Sequence, residues 1–142
     1  MERIPGKCEM IIQYKNLSLG TLREGPQLLA EVEGELIISV GEKNVFCEKG
    51  ILLLEFAKEV SSWLLMDNGD FLYESMDFED SPILFFQKQP NGLWLIGSVW
   101  SLETYPDIAS HILKEACKSF INELVDDLKS YELDCECYLQ RL

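Results

Sequence analysis

Leu28-Leu29-Ala30-Glu31-Val32-Glu33-Gly34-Glu35-Leu36-Ile37-Ile38-Ser39-Val40 carries a period of two. Its even positions, Leu28, Ala30, Val32, Gly34, Leu36, Ile38 and Val40, are apolar or small, and Glu31, Glu33 and Glu35 stand between them. Side chains of a strand repeat direction every second residue, so the run predicts one strand from Leu28 to Val40. It buries one face and turns three glutamates outward together. Like charges on one strand face repel, by a few tenths of a kcal/mol or more per close pair. No lysine or arginine occurs between Arg23 and Lys43 to relieve that repulsion. Such a face suits a positively charged partner.

On either side the same period continues. Cys8, Met10, Ile12 and Tyr14 alternate as a first strand running on toward Leu19. Gly41-Glu42-Lys43-Asn44 predicts a tight turn into a third strand, Val45 to Glu48. From Gly50 the period changes to that of a helix. Leu53, Phe56, Ala57, Val60, Trp63 and Leu64 share one face, with Glu55, Lys58, Glu59 and Ser62 opposite. Asn68-Gly69 ends it and leads to a strand at Phe71 to Ser75. After Asp77-Phe78-Glu79-Asp80, strands at Ile83 to Lys88 and Leu93 to Trp100 flank the turn Gln89-Pro90-Asn91-Gly92 as a hairpin apolar on both faces. Pro106 occupies a helix N1 position and Asp107 its first turn. Ile108, Ile112, Ala116, Phe120, Leu124 and Leu128 recur every four residues, predicting a long amphipathic helix to about Tyr131. The order βββαβββα predicts an α+β fold, a mostly antiparallel sheet of about six strands with two amphipathic helices on one face.

The 142 residues are read as a single domain, 1–142, without repeat or linker. Hydrophobic residues make up 47% of the chain, enough for a packed core rather than disorder. Twenty-five acidic side chains oppose 12 lysines and arginines, a net charge of −13. That field repels nucleic acid and anionic membrane, and it attracts cationic partners. Acidity also serves solubility alone. The N-terminus, Met1 to Lys7, has no apolar stretch of a secretion signal. The five cysteines, Cys8, Cys47, Cys117, Cys135 and Cys137, are therefore expected as reduced thiols in a cytosol.

Catalytic machinery is not legible. His111 is the sole histidine, with no second element to anchor a nucleophilic triad. Asp107, His111 and Glu115 stand at helical spacing of four and offer a metal, although a surface histidine among charges has the same pattern. Cys135-Glu136-Cys137 is half a zinc site, while Cys8, Cys47 and Cys117 lie in apolar patterns where cysteine acts as a small hydrophobe. No cofactor or metal is expected. Between Glu59 and Gln87 the acidic residues Glu59, Asp67, Asp70, Glu74, Asp77, Glu79 and Asp80 lack a lysine or arginine among them. A solvated loop, a basic partner and a divalent cation all suit that segment, but calcium-loop spacing is missing. Tyr73, Phe78, Trp94, Trp100 and Tyr105 surround it in strand order. Aromatics left exposed beside Asp77, Glu79 and Asp80 would form the anchors that tight interfaces use.

The run from Gly50-Ile51-Leu52-Leu53-Leu54-Glu55-Phe56 through Asp70-Phe71-Leu72-Tyr73-Glu74-Ser75-Met76-Asp77, Pro82-Ile83-Leu84-Phe85-Phe86 and Gly97-Ser98-Val99-Trp100 resembles small bacterial immunity-type domains of polymorphic or contact-dependent toxin systems. The resemblance spans about residues 35–130 and lies in the order of elements. It implies a cytosolic α+β protein that neutralises a toxin domain by binding it, and an acidic surface suits a basic nuclease. The expected function is thus a non-enzymatic binding protein. Its expected contacts are Glu31, Glu33, Glu35, Tyr73, Asp77, Phe78, Glu79 and Asp80. Two rivals stand beside it: a small-ligand or metal-dependent enzyme with a cavity between sheet and helices, and a homodimer that covers the hairpin's second face.

Overall fold

The computed structural model describes residues 9–20, 26–66, 69–76, 78–79, 82–133, 135 and 139. Two meanders, each local in sequence, supply its strands. β1 (Met10–Leu19), β2 (Val32–Val40) and β3 (Lys43–Leu52) pair antiparallel in chain order. α1 (Leu53–Met66) follows β3 without a loop. β4 (Phe71–Tyr73), β5 (Leu84–Lys88), β6 (Trp94–Gly97) and β7 (Tyr105–Ile108) then form a second antiparallel sheet, and α2 (Ser110–Ser130) closes the order. The α+β class with antiparallel pairing is as expected. The strands are seven among the described residues, however, and they divide into two sheets.

Several boundaries move for identifiable reasons. Pro26–Ala30 is a 3-10 turn closed by the Glu31 N–H on the Leu28 carbonyl at 3.0 Å, so the strand starts at Val32 instead of Leu28. Leu28 still reaches the core, at 1% exposure. Gly50 lies at φ +71, open to glycine but poor for a helix start, and Ile51 and Leu52 still pair with Gly34 and Glu33. The third strand is therefore longer, and the helix begins at Leu53.

Pro106 does not open a helix. It sits in β7, an edge strand, where a missing N–H costs no ladder bond. Asp107 beside it adopts φ +66, held by its N–H donated at 2.7 Å to Gln89 Oε1.

α1 is the hub of the core. Its first turns are buried nearly all round, through Leu53, Leu54, Glu55, Phe56, Ala57 and Val60, because both sheets and α2 pack against it. Phe56 meets Phe71, Tyr73 and Phe120 at 5.0–6.0 Å. Trp63 meets Phe71, Phe86 and Trp94. Each such buried side chain contributes about 1.5–3 kcal/mol of transfer free energy.

α2 buries the stripe Leu113, Ala116, Cys117, Phe120, Ile121, Leu124, Val125 and Leu128, and packs on β1. Its C-terminus closes with two reversed hydrogen bonds, Leu133 N–H to Leu128 O and Glu132 N–H to Lys129 O, both 2.9 Å. Glu132 takes the left-handed position at φ +61, where glycine is usual. Buried Leu133 seals this end. No helix among the described residues is long and apolar enough to cross a membrane.

Candidate functional site

The three glutamates of the decisive stretch do not form a free-standing row. Glu31 precedes β2, which is the centre of its sheet, so Glu33 and Glu35 lie among neighbouring strands. Glu31 folds over Gly20, whose missing Cβ leaves it room. Half-buried Glu33 leans toward Gly50. Glu35 is 9% exposed and accepts hydrogen bonds from Asn16 Nδ2 at 3.4 Å and the Cys47 thiol at 3.3 Å, with Lys15 directly across the strand pair. Glu35 is a sheet-binding group, and the expected contact role is corrected on that ground. A central strand gives its outer side chains partners on both sides, which alternation alone does not reveal.

Of the second expected cluster, Tyr73 is withdrawn into the core. Tyr73 is fully buried and donates its hydroxyl to Glu55 Oε1 at 2.7 Å, so it cannot touch a partner. Glu55, expected on the polar side of α1, is 7% exposed and takes a second hydrogen bond from the Met76 N–H at 3.2 Å. Phe78 is half-buried, edge-on to Trp100 at 5.1 Å, and Glu79 is exposed. Asp77 and Asp80 lie outside the described residues.

Metal and thiol constellations fare no better. Asp107 belongs to β7 rather than the helix, and its carboxylate accepts from Gln89 and Asn91, both at 3.3 Å. It is thus out of phase with His111 and Glu115. Among the described residues no three potential ligands converge as a metal site. Cys135 is buried, and Cys8 and Cys137 lie outside the described residues. Cys47 is exposed, contrary to the buried reading. Desolvation of its sulfur and then the Glu35 carboxylate push the thiol's pKa up, which keeps it protonated and a poor nucleophile.

Two concavities are formed by described residues. One, of about 270 Å³, lies between Asn44–Glu48 of β3 and the segment 98–105, where Phe46 stacks on Trp100 at 6.3 Å. Glu103, in that segment, accepts the Tyr105 hydroxyl, so its polar groups answer one another. The other, of about 370 Å³, runs between β1 and α2. Met10, Ile12, Ile112 and Ala116 give it an apolar floor, and Glu9, Glu115 and Glu123 give it acid on the rim.

α2 supplies its wall through His111, Glu115, Ser119 and Glu123, four residues apart and hence on one face. Below the groove α2 is tied to β1 by the Tyr14 hydroxyl, which donates to Asp127 Oδ2 and, at 3.3 Å, to the Glu123 carbonyl. Burial, followed by the hydrogen bond and charge of Asp127, pushes the Tyr14 pKa up and fixes it as a donor. No lysine or arginine lines this groove among the described residues. The spacing of four that joins His111 to Glu115 continues to Ser119 and Glu123, and that continuation is the signal of this face in the sequence.

No curated protein and no solved structure matches this chain. The model of a domain of unknown function, DUF7878, matches residues 10–130, nearly the whole described fold, and the chain belongs to that family.

Proposed function

We propose that the protein is a non-enzymatic binding protein of the cytoplasm that holds a basic protein domain by direct contact, in the manner of an immunity protein neutralising its toxin. The observation that carries this reading is the groove between β1 and α2, with three carboxylates, an apolar floor and no lysine or arginine along it, on a chain of net charge −13. Acid of one sign around a concave apolar surface steers a cationic partner and then gives it area to bury. In this reading the groove replaces Glu31, Glu33 and Glu35 as the contact surface.

The immunity reading expects a toxic domain encoded beside this gene, and co-expression with it tests the function: growth should be restored, and Glu115→Lys with Glu123→Lys should abolish the rescue. Normal rescue by that variant would remove the groove from the mechanism. A toxic neighbour that this chain neither binds nor neutralises would remove the immunity reading.

A further inference from the structure

The groove is lined by Glu9, Met10, Ile11 and Ile12, four consecutive residues. The face of a strand shows alternate residues, so a lining of consecutive ones marks the strand's edge. β1 is that edge, for among the described residues it has one strand neighbour, β2.

The direction of its backbone groups follows from one hydrogen bond. Gly41 N–H donates to Glu9 O at 2.7 Å, which turns the polar groups of Glu9 toward the β2 side. Antiparallel pairing alternates, so Ile11 points the same way while Met10 and Ile12 direct N–H and C=O away from β2. That is the side on which the groove opens.

We propose that an extended basic segment of a protein partner adds to the β1 edge as a strand. Its backbone pairs with Met10 and Ile12, and its lysines or arginines meet Glu9, Glu115 and Glu123. This rests on the binding function proposed above and specifies its mode. Long basic side chains suit both parts of the groove, laying their aliphatic stems over Ile112 and Ala116 and their charge at the acidic rim. Strand addition draws affinity from main-chain hydrogen bonds and selectivity from the side chains alternating along the guest. A second copy of this chain is the poorer guest, because pairing two β1 edges would bring two sets of Glu9, Glu115 and Glu123 together.

The probe is a capped eight-residue peptide of alternating lysine and valine, prepared unmodified and with N-methyl groups on either alternate set of amides. One methylated form should lose about ten-fold or more in affinity and the other should bind like the parent, because only one edge of the guest pairs with β1. Hydrogen exchange at Met10 and Ile12 should slow on binding, and Glu115→Lys with Glu123→Lys should weaken it. Equal binding by both methylated forms, or unchanged exchange at Met10 and Ile12, would overturn strand addition. Slow exchange at those amides before peptide is added would do the same, since the edge would then be filled by the chain itself or by a second copy. A basic toxin domain that binds with strong salt dependence but leaves these amides unchanged would sink this inference and spare the proposed function. Failure of both peptide and domain to bind would sink both.

Discussion

Replacing Tyr73 with phenylalanine removes one oxygen from the centre of the core and leaves the ring. The ring keeps its contact with Phe56 at 5.0 Å, and Tyr73 has no exposed surface over which water could substitute. What disappears is a 2.7 Å hydrogen bond to Glu55 Oε1, a longer approach, 3.5 Å, to the Leu52 carbonyl, and a hydrogen bond with the Ser75 side chain. Glu55 is then a carboxylate at 7% exposure with the Met76 N–H still on its other oxygen.

Hydrogen bonds to charged groups contribute about 1.5–3 kcal/mol, and an oxygen left bare costs at the upper end, so the loss should be about 2–3 kcal/mol. For 142 residues the unfolding entropy is about 0.3 kcal/mol/K, and Tm should fall by about 7–10 °C. A urea titration followed by tryptophan fluorescence should show a lower midpoint at unchanged slope. A loss below about 0.5 kcal/mol would refute the reasoning.

The alkaline limb gives an independent check. Burial, then the hydrogen bond and charge of Glu55, raise the Tyr73 pKa well above the ordinary value near 10. A group whose folded pKa is raised lends stability that is complete below its unfolded pKa and is lost as pH climbs past it. Wild type should therefore lose up to about 1.4 kcal/mol per pH unit above pH 10 through this tyrosine, and Tyr73→Phe should not.

Four further outcomes are expected. Phe120→Ala should cost about 3–5 kcal/mol in chemical denaturation, since Phe120 is fully buried between Tyr14 and Phe56. Glu132→Gly should raise stability by roughly 0.5 kcal/mol, because relief at φ +61 slightly exceeds the entropy glycine adds to the unfolded chain. Replacing Glu31, Glu33 and Glu35 together by lysine should lower Tm, with Glu35→Lys alone carrying most of a loss of about 1–3 kcal/mol, as it strips Asn16 and Cys47 of their acceptor. In native protein a thiol reagent should reach exposed Cys47 but label it more slowly than a free thiol, because Glu35 keeps it protonated, and Glu35→Gln should speed the reaction. Cys117, wholly buried with its pKa pushed up by desolvation, should react only at the rate of global opening.

Local periodicity made most elements legible. The alternation of Val32 to Val40 and the four-residue recurrence on α2 are written in side-chain polarity, and the α+β class follows from their order. Alternation does not say which strands share a sheet, so two meanders read as one. β7 was hidden because Pro106 and Asp107 also fit a helix start, and only its place at a sheet edge makes a strand with proline tolerable. The candidate site was less legible still. Glu35, Glu55 and Tyr73 look like surface or interface residues until tertiary neighbours cover them. The groove needs β1 and α2 from opposite ends of the chain, a juxtaposition that no local pattern encodes.

The tie between β1 and α2 also sets a schedule. Tyr14 and Asp127 are 113 residues apart, whereas every strand of the first sheet is complete by Leu52. At translation rates of about 5–20 residues per second, Tyr14 is made roughly 6–23 s before Asp127. Through that interval the face of β1 that carries Met10, Ile12 and Tyr14 has no α2 to cover it. The nascent first sheet must stay unaggregated on the ribosome with its apolar side open, and the acid-rich composition of the chain keeps neighbouring copies apart by repulsion while it waits.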